Sequence, residues 1–291
     1  VRSRRQRQMC IRDSPIGVYL LMWPTLWALW FAAEGIPSLK NLSIFLVGLI
    51  VMRAAGCVIN DYADRHIDGL VERTKTRPLP AGEITPNQAL WLCGGLLFTA
   101  LILVLMTNPL TIALSFGGLA VTAIYPFMKR FTHLPQIGLG VAWAWVVPMA
   151  FAAHREELPW ELWLIFAAIV VWTVAFDTYY AMVDRADDLK IGVKSTAVLF
   201  GRYDLAIIVL LQAATLVLMF LVGLEFQRGW IYFFGLLVAA AFFANQFRHA
   251  QHRERQACFA AFLSNHRVGM VIFIGIALDY VFEGLLLASY F

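Results

Sequence analysis

Long apolar stretches alternate with short polar segments from residue 15 to the end of the chain. A helix needs about 20 mainly apolar residues to span a bilayer. Nine stretches meet this need, and they are residues 15–33, 42–59, 88–107, 110–127, 136–153, 160–183, 205–223, 230–247 and 268–288. The Asn108-Pro109 pair divides the third stretch from the fourth, because proline breaks a helix. The pattern therefore predicts an all-α polytopic membrane protein with nine transmembrane helices.

The composition agrees with this prediction. Hydrophobic residues make up 60% of the 291 residues and charged residues 14%, whereas soluble domains have about 45–50% and about 25%. The four cysteines lack the spacing of a metal site or a disulfide framework. Residues 1–14 contain several arginines and no apolar run. We interpret them as a non-native or disordered segment, and residues 15–291 as a single transmembrane domain.

The positive charges are distributed unevenly between the two sides that nine spans define. Of the 23 lysines and arginines, most fall in the N-terminal segment and in the loops on its side of the membrane, which are residues 60–87, 128–135, 184–204 and 248–267. The opposite side contains Lys40, Arg155 and Arg228. Cytoplasmic loops carry the excess of basic residues. The sequence therefore predicts that the first set of loops faces the cytoplasm.

Polar residues at the end of the second stretch form what we name the first acidic motif, which is Asn60, Asp64 and Asp68. If the helix continues past the apolar stretch, these residues lie four apart and share one face. Like charges at this spacing repel by about 0.2–0.5 kcal/mol per pair. We therefore expect a cation to bind between them.

Asp184 and Asp188, at the end of the sixth stretch, form the second acidic motif. Both motifs fall on the predicted cytoplasmic side. Magnesium is usually bound through one or two carboxylates together with substrate phosphates, and it stabilises charge on a leaving group. The two motifs therefore predict a catalytic Mg²⁺ site for a diphosphate substrate, with the ligands Asn60, Asp64, Asp68, Asp184 and Asp188.

Basic residues follow both motifs and are candidates for contacts to the same diphosphate. They are Arg65, Arg73, Lys75 and Arg77 after the first motif, and Lys190, Lys194 and Arg202 after the second.

Arg53 lies within the second apolar stretch, where a charge is costly and usually marks a functional or paired site. It precedes Asn60 by seven residues, which places it on the same helix face, about 10 Å deeper at 1.5 Å per residue. We expect it to point into the site. The alternative is a structural ion pair with Asp177 or Asp279.

These residues and their surroundings resemble the UbiA family of intramembrane prenyltransferases, and within it the bacterial 4-hydroxybenzoate polyprenyltransferases of ubiquinone synthesis. The first motif, in the form Asn-Asp-x-x-Asp-x-x-x-Asp, and the second, in the form Asp-x-x-x-Asp, match the two motifs of the family. The likeness extends over residues 15–288. It includes LMWPTLWALW at 21–30, MRAAGC at 52–57, RPLP at 77–80, YPFMKR at 125–130, YAMVDR at 180–185 and KIGVKST at 190–196.

The resemblance implies nine helices in a ring around a central cavity in the bacterial inner membrane, with the active site facing the cytoplasm. It also implies Mg²⁺, a polyprenyl diphosphate donor and 4-hydroxybenzoate as the acceptor, which is prenylated ortho to its hydroxyl. The partners expected are these substrates and membrane lipid, and no nucleic acid.

Roles for individual substrate-binding residues are predicted from their charge and their positions in the sequence. Arg65 and Lys194 are expected to assist at the diphosphate. Arg53 or Arg130 binds the acceptor carboxylate, since a guanidinium matches that group with two hydrogen bonds. Tyr180, beside the second motif, is a further candidate for substrate binding.

Two alternatives remain at this stage. The nearer one is a prenyltransferase of the same family that acts on a naphthoate or haem acceptor. The other is an ion-coupled transporter with gating carboxylates, although such acids are expected nearer the middle of the membrane.

Overall fold

The computed structural model describes residues 16–65, 77–128 and 130–288, which are almost entirely helical. The helices are α1 Ile16–Ala33, α2 Leu39–Asp64, α3 Pro86–Leu105, α4 Pro109–Met128, α5 Pro135–Ala144, α6 Val146–Arg155, α7 Leu162–Ile191, α8 Thr196–Phe200, α9 Asp204–Glu225, α10 Trp230–Ala250 and α11 Arg255–Ala288. Within the described ranges, nine helical segments are long and apolar enough to cross a membrane, with α5–α6 and α8–α9 each forming one. The predicted all-α, nine-span fold class is confirmed.

Two of the nine helical segments extend five or more residues past the C-terminal ends predicted from hydropathy, and both carry an acidic motif. Helix α2 continues to Asp64, beyond the predicted end at residue 59. Helix α7 continues to Ile191, beyond the predicted end at residue 183. The polar residues therefore form the last turns of each helix, as the four-residue spacing required. We name the end of the bundle where α2 and α7 finish the acidic end.

Helix α11 begins at Arg255, thirteen residues before the predicted start at 268. The polar run Ser264 to Arg267 lowers the local hydropathy, so the apolar stretch is predicted to start only after it. In the structure, Cys258, Phe259 and Phe262 form a buried face in the first turns of α11. With 34 residues, α11 is about 51 Å long at 1.5 Å per residue. The hydrocarbon layer is about 30 Å thick, so the extra turns project at the acidic end.

The fifth predicted span is divided into α5 and α6 at Trp145. Pro148 has no backbone N–H to donate to the carbonyl of Ala144, which is the last residue of α5. The indole of Trp145 donates to the Leu114 carbonyl of α4 over 2.8 Å. A Cβ built at Gly117 would lie 2.6 Å from this ring. A glycine is therefore needed where the broken span packs against α4.

Side-chain caps fix the helix ends opposite the acidic end. The Asn108 side chain accepts from the Thr111 N–H at the start of α4 over 2.9 Å, and it donates to the Ala152 carbonyl of α6. Asn41 of α2 donates to the Ala153 carbonyl over 3.1 Å. The carbonyls at the end of α6 are therefore satisfied by neighbouring helices, which joins three spans at this end.

The packed core lies to one side of the bundle, around α1, α7 and α11. In the α7 span 61% of the most apolar window is buried, against 11% in α4. Trp27 and Trp172 stack with ring centroids 5.2 Å apart. Their indole N–H groups donate to the Gly269 carbonyl and the Asn265 side chain, both over 3.0 Å. Buried indoles normally need such partners. Helices α2, α3 and α4 are less buried, and together with the inner faces of the other helices they line a cavity.

Candidate active site

Both acidic motifs open onto one cavity of about 620 Å³. Asn60 and Asp64 line it from the end of α2, and Asp184 and Asp188 from the end of α7. Asp64 is buried, with 5% of its surface exposed. Asp64 and Asp184, which are 120 residues apart in the sequence, thus line the same cavity. Asp68 lies outside the described residues, as do Arg73, Lys75 and residues 1–14.

The cavity continues from the acidic end into the apolar interior of the bundle. Its walls there are mainly aliphatic and aromatic, and they include Leu21, Phe45, Leu97, Trp143, Met149 and Phe176. Leu101, Phe116 and Leu119 line the cavity and are 38%, 60% and 38% exposed. In a bilayer these residues would contact lipid. From these exposed side chains we infer that the cavity opens laterally between α3 and α4.

The residues at the acidic end fit a hard divalent cation. The donors are oxygen atoms, which Mg²⁺ prefers. Within the described ranges, no group of three or more histidine, cysteine or acidic side chains is close enough to bind a metal ion by itself. Magnesium does not require such a group, since it is usually bound by one or two carboxylates and substrate phosphates. The site thus fits a cation that binds together with a phosphorylated substrate.

Ion pairs to one buried carboxylate hold the end of α7 in place. Arg185, the residue after Asp184, donates to Asp204 over 3.0 Å. Arg253 donates to the same carboxylate through Nε and Nη2, over 2.9 and 2.8 Å. Asp204 is fully buried. Its hydrogen bonds raise the pKa of the Arg253 guanidinium. The second acidic motif is therefore tied to the start of α9 and to the α10–α11 loop.

The basic residues near the motifs have different surroundings. Arg77 lines the cavity and pairs with Asp61 over 3.1 Å. Arg65 donates to the Tyr62 carbonyl over 2.7 Å, and its guanidinium lies 4.2 Å from the centre of the Tyr62 ring. Lys194 donates to the Phe131 carbonyl over 3.3 Å. Among these three basic residues of the described chain, Arg77 lines the cavity, whereas Arg65 and Lys194 do not.

Arg53 points into the cavity, as its spacing predicted. Its guanidinium packs against Gly17 of α1, where a Cβ would overlap it. Of its two candidate structural partners, Asp279 is at the other end of the bundle, 3.7 Å from Arg228. Asp279 also accepts from the Gly229 N–H over 2.8 Å, at the start of α10. The alternative pair with Asp279 is therefore wrong, and of the two candidate partners Asp177 is the one that lines the cavity together with Arg53.

Arg130 has a different position, outside the cavity lining in the described part of the chain. It donates to the Ala63 carbonyl over 2.8 Å, and its guanidinium lies 5.4 Å from the Phe127 ring centre. It thus contacts the last turn of α2, next to Asp64. Tyr180 lines the cavity and contacts the Phe262 ring with centroids 4.9 Å apart.

Sequence reasoning did not identify Asp177 and Gln136 as site residues. Asp177 precedes Asp184 by seven residues, which is the spacing between Arg53 and Asn60. This repeated offset is the signal that could have identified Asp177. Gln136 is buried at the start of α5 and hydrogen-bonds the Asp177 side chain. Its position beside α7 depends on the packing of two distant spans, so the sequence contains no signal for it.

Together, the fold and the cavity define an intramembrane protein whose carboxylate-rich end opens into an apolar, laterally open interior. The UbiA prenyltransferase family profile matches residues 21–273. The chain belongs to the UbiA prenyltransferase family, which confirms the family predicted from the sequence.

Similar proteins with assigned names are found in several bacteria. A protein of Ectopseudomonas mendocina (strain ymp) named 4-hydroxybenzoate octaprenyltransferase is 58% identical over 94% of this chain and 92% of its own. A protein of the same name from Chromohalobacter salexigens is 59% identical over 92% of this chain and 90% of its own.

Solved structures share the fold over nearly the whole chain. The apo structure of a UbiA homolog from Aeropyrum pernix K1 is 25% identical, has a TM-score of 0.79, and is matched over 91% of this chain and 98% of its own. A UbiA homolog from Archaeoglobus fulgidus bound to GPP and Mg²⁺ is 19% identical, with a TM-score of 0.69 over 94% of this chain and 99% of that one.

Proposed function

We propose that this protein transfers a polyprenyl chain from polyprenyl diphosphate to 4-hydroxybenzoate, at the ring carbon ortho to the hydroxyl, in bacterial ubiquinone synthesis. The observation that carries the proposal is the single cavity that joins both acidic motifs to a laterally open apolar interior. A substrate with a charged head and a long apolar tail fits this arrangement. The relatives named for this reaction, at 58% and 59% identity, support the choice of acceptor.

At the acidic end, Asn60, Asp64, Asp184 and Asp188 would hold Mg²⁺ together with the diphosphate, and Asp68 is proposed as a further ligand. When bound, the ion supplies a Lewis acid that stabilises the charge on the departing diphosphate. Arg77 at the cavity wall, with Arg65 and Lys194 nearby, adds positive charge at the same end. The prenyl tail leaves the cavity between α3 and α4 and extends into the lipid.

Deeper in the cavity, Arg53 binds the acceptor carboxylate. Arg53 lines the cavity, and its backbone position lies about 10 Å from that of Asn60 along α2, at 1.5 Å per residue over seven residues. Ionisation of the donor leaves an allylic cation, and aromatic faces such as those of Trp143 and Phe176 stabilise a cation in this apolar space. The acceptor carbon ortho to the hydroxyl then attacks the allylic carbon. Arg130, which follows α4, instead donates to the Ala63 carbonyl at the end of α2.

A mass-spectrometric assay tests the proposal directly. The purified full chain is incubated with 4-hydroxybenzoate, a mixture of polyprenyl diphosphates and Mg²⁺. We expect 3-polyprenyl-4-hydroxybenzoate as the product, and no product when EDTA removes the metal. Transfer to a naphthoate or to haem, but not to 4-hydroxybenzoate, would overturn the choice of acceptor. Diphosphate release that persists in EDTA would overturn the metal site.

Membership of a prenyltransferase family decides against the ion-coupled transporter. The two acidic motifs are also at helix ends rather than at mid-membrane, where transporter sites occur. We place the acidic end in the cytoplasm of a bacterial cell, because the loops at this end carry most of the lysines and arginines.

A further inference from the structure

Asp177 lines the cavity two helical turns deeper than the second acidic motif. It precedes Asp184 by seven residues and Asp188 by eleven, so the three carboxylates lie on one face of α7. Arg53 precedes Asn60 and Asp64 by the same two intervals on α2. The cavity is therefore lined by an arginine and an aspartate at similar helical positions, each about 10 Å along its helix from the acidic motif at 1.5 Å per residue.

A buried polar network fixes the Asp177 side chain. Gln136 hydrogen-bonds the Asp177 carboxylate, and its Oε1 accepts from the Thr196 N–H over 3.2 Å. The Thr196 hydroxyl in turn lies 2.8 Å from the Thr178 hydroxyl. Gln136 and both threonines are buried. A carboxylate has about four acceptor positions, and the Gln136 amide occupies one of them, so the carboxylate can also accept from a ligand in the cavity.

The acceptor of the proposed reaction has two polar groups that could bind to Arg53 and Asp177. A 4-hydroxybenzoate ring carries a carboxylate at one end and a hydroxyl at the other, and it needs a cation and a hydrogen-bond acceptor on opposite sides. Phe176 and Trp143, with ring centroids 5.5 Å apart, line the same part of the cavity. We propose that Asp177 is a further catalytic residue, which accepts the hydroxyl proton of the aromatic acceptor while Arg53 binds its carboxylate. This inference rests on the proposed function.

The proton transfer can be written as a balanced reaction. The allylic C–O bond of the donor breaks, and both electrons leave with the diphosphate. The ring carbon ortho to the hydroxyl forms the new C–C bond as the hydroxyl proton moves to Asp177, which leaves a neutral dienone. The proton on that ring carbon then passes to the diphosphate, and Asp177 returns its proton to the oxygen. The products are the prenylated phenol and protonated diphosphate.

The first test needs no variant. Radiolabelled 4-hydroxybenzoate bound to the purified full chain is displaced by unlabelled 4-hydroxybenzoate or by 4-fluorobenzoate, which has similar size but no hydroxyl hydrogen. A hydrogen bond to a charged group predicts that 4-fluorobenzoate binds about tenfold or more weakly. Equal affinity of the two compounds would overturn the inference, and this result does not depend on how any variant folds.

The second test compares Asp177→Asn with Asp187→Asn. Both variants remove one carboxylate of α7 that lines the cavity, but Asp187 lies at the acidic end and is paired with Arg255 over 3.1 Å and with Lys190 over 3.7 Å. Loss of a general base predicts that kcat of Asp177→Asn falls by about a hundredfold or more, with an unchanged KM for the donor. The fall in kcat of Asp187→Asn should be much smaller. Equal kcat for Asp177→Asn and wild type would overturn the inference.

The two proposals fail in different ways. Wild-type protein that does not prenylate 4-hydroxybenzoate contradicts the proposed function. Wild-type protein that prenylates it, combined with either negative result above, contradicts only the role of Asp177.

Discussion

In the first acidic motif, Asp64 is buried and also lines the cavity. Because its carboxylate is proposed to bind Mg²⁺, Asp64→Asn should lower kcat by about a hundredfold or more, since a Lewis acid contributes several kcal/mol. Prenyl transfer in detergent measures the effect, and size-exclusion chromatography verifies that the variant folds. Turnover close to that of the wild type would contradict the metal role.

Arg53 and Arg130 are the two candidates for binding the acceptor carboxylate, and their positions predict different effects of substitution. Arg53 lines the cavity, whereas Arg130 donates to the Ala63 carbonyl over 2.8 Å. Arg53→Ala should raise the KM for 4-hydroxybenzoate by about tenfold or more, because hydrogen bonds to charged groups contribute about 1.5–3 kcal/mol. The KM for the donor should change much less. A larger acceptor effect in Arg130→Ala would assign the carboxylate to Arg130 instead.

Gly17 offers an independent test of the position of Arg53. A Cβ at Gly17 would overlap the Arg53 guanidinium, whereas a Cβ at Gly48, which also lines the cavity, meets nothing within 4 Å. Gly17→Ala should therefore displace Arg53 and raise the KM for 4-hydroxybenzoate. Gly48→Ala serves as the matched control and should have a smaller effect. Steady-state kinetics with a saturating donor compare the two variants. Equal KM values for 4-hydroxybenzoate would contradict an effect of Gly17→Ala through Arg53.

At the scale of elements, the end of α7 depends on one buried carboxylate. Asp204 is fully buried and accepts from Arg185 and Arg253, whereas the Asp187 side chain is 43% exposed. Asp204→Asn leaves these guanidinium groups poorly paired, so it should reduce the free energy of unfolding by about 1–3 kcal/mol. Asp187→Asn should cost at most about 1 kcal/mol, as for exposed ion pairs.

Thermal unfolding in detergent distinguishes these two variants. A lower Tm for Asp204→Asn than for Asp187→Asn is the expected order. The reverse order would mean that the contacts between α7, α9 and the α10–α11 loop do not fix the second acidic motif.

Three helix boundaries in the structure differ from those predicted from hydropathy, at the ends of α2 and α7 and at the start of α11. Helices α2 and α7 continue into their acidic motifs because a helix is maintained by local backbone hydrogen bonds, which polar side chains do not interrupt. The early start of α11 has a different cause. Its first turns are amphipathic, and Phe259 and Phe262 contact Tyr180 of α7, with ring centroids 6.3 and 4.9 Å apart. A tertiary contact thus favours the helix there.

For the whole molecule, the orientation in the membrane remains a prediction, which cysteine labelling in intact cells can test. Glu83 is exposed at the acidic end, and Glu157 lies at the opposite end. Because basic loops stay in the cytoplasm, a membrane-impermeant maleimide should label Glu157→Cys but not Glu83→Cys. Unsubstituted protein controls for the native cysteines. Labelling of Glu83→Cys alone would place the active site on the outer side.

Residue spacing within one helix can be read from the sequence, because it depends only on the helical period. The sequence therefore predicts the common face of Arg53, Asn60 and Asp64, and that of Asp184 and Asp188. The neighbours of Arg65 and Lys194 could not be predicted in this way. Their carbonyl partners depend on side-chain conformations that several loop geometries would allow.

The sequence by itself determined the number of spans and the faces of α2 and α7, since apolar length and helical period are local properties. Its basic loops also predict the orientation of the spans, which the labelling experiment tests. Only the tertiary structure decided that Asp64 and Asp184 share one cavity, that Asp177 joins it, and that Asp279 belongs to Arg228 at the other end. These outcomes depend on which helices pack together. Packing is decided by the fit of side chains that are distant in sequence, such as Trp27 against Trp172.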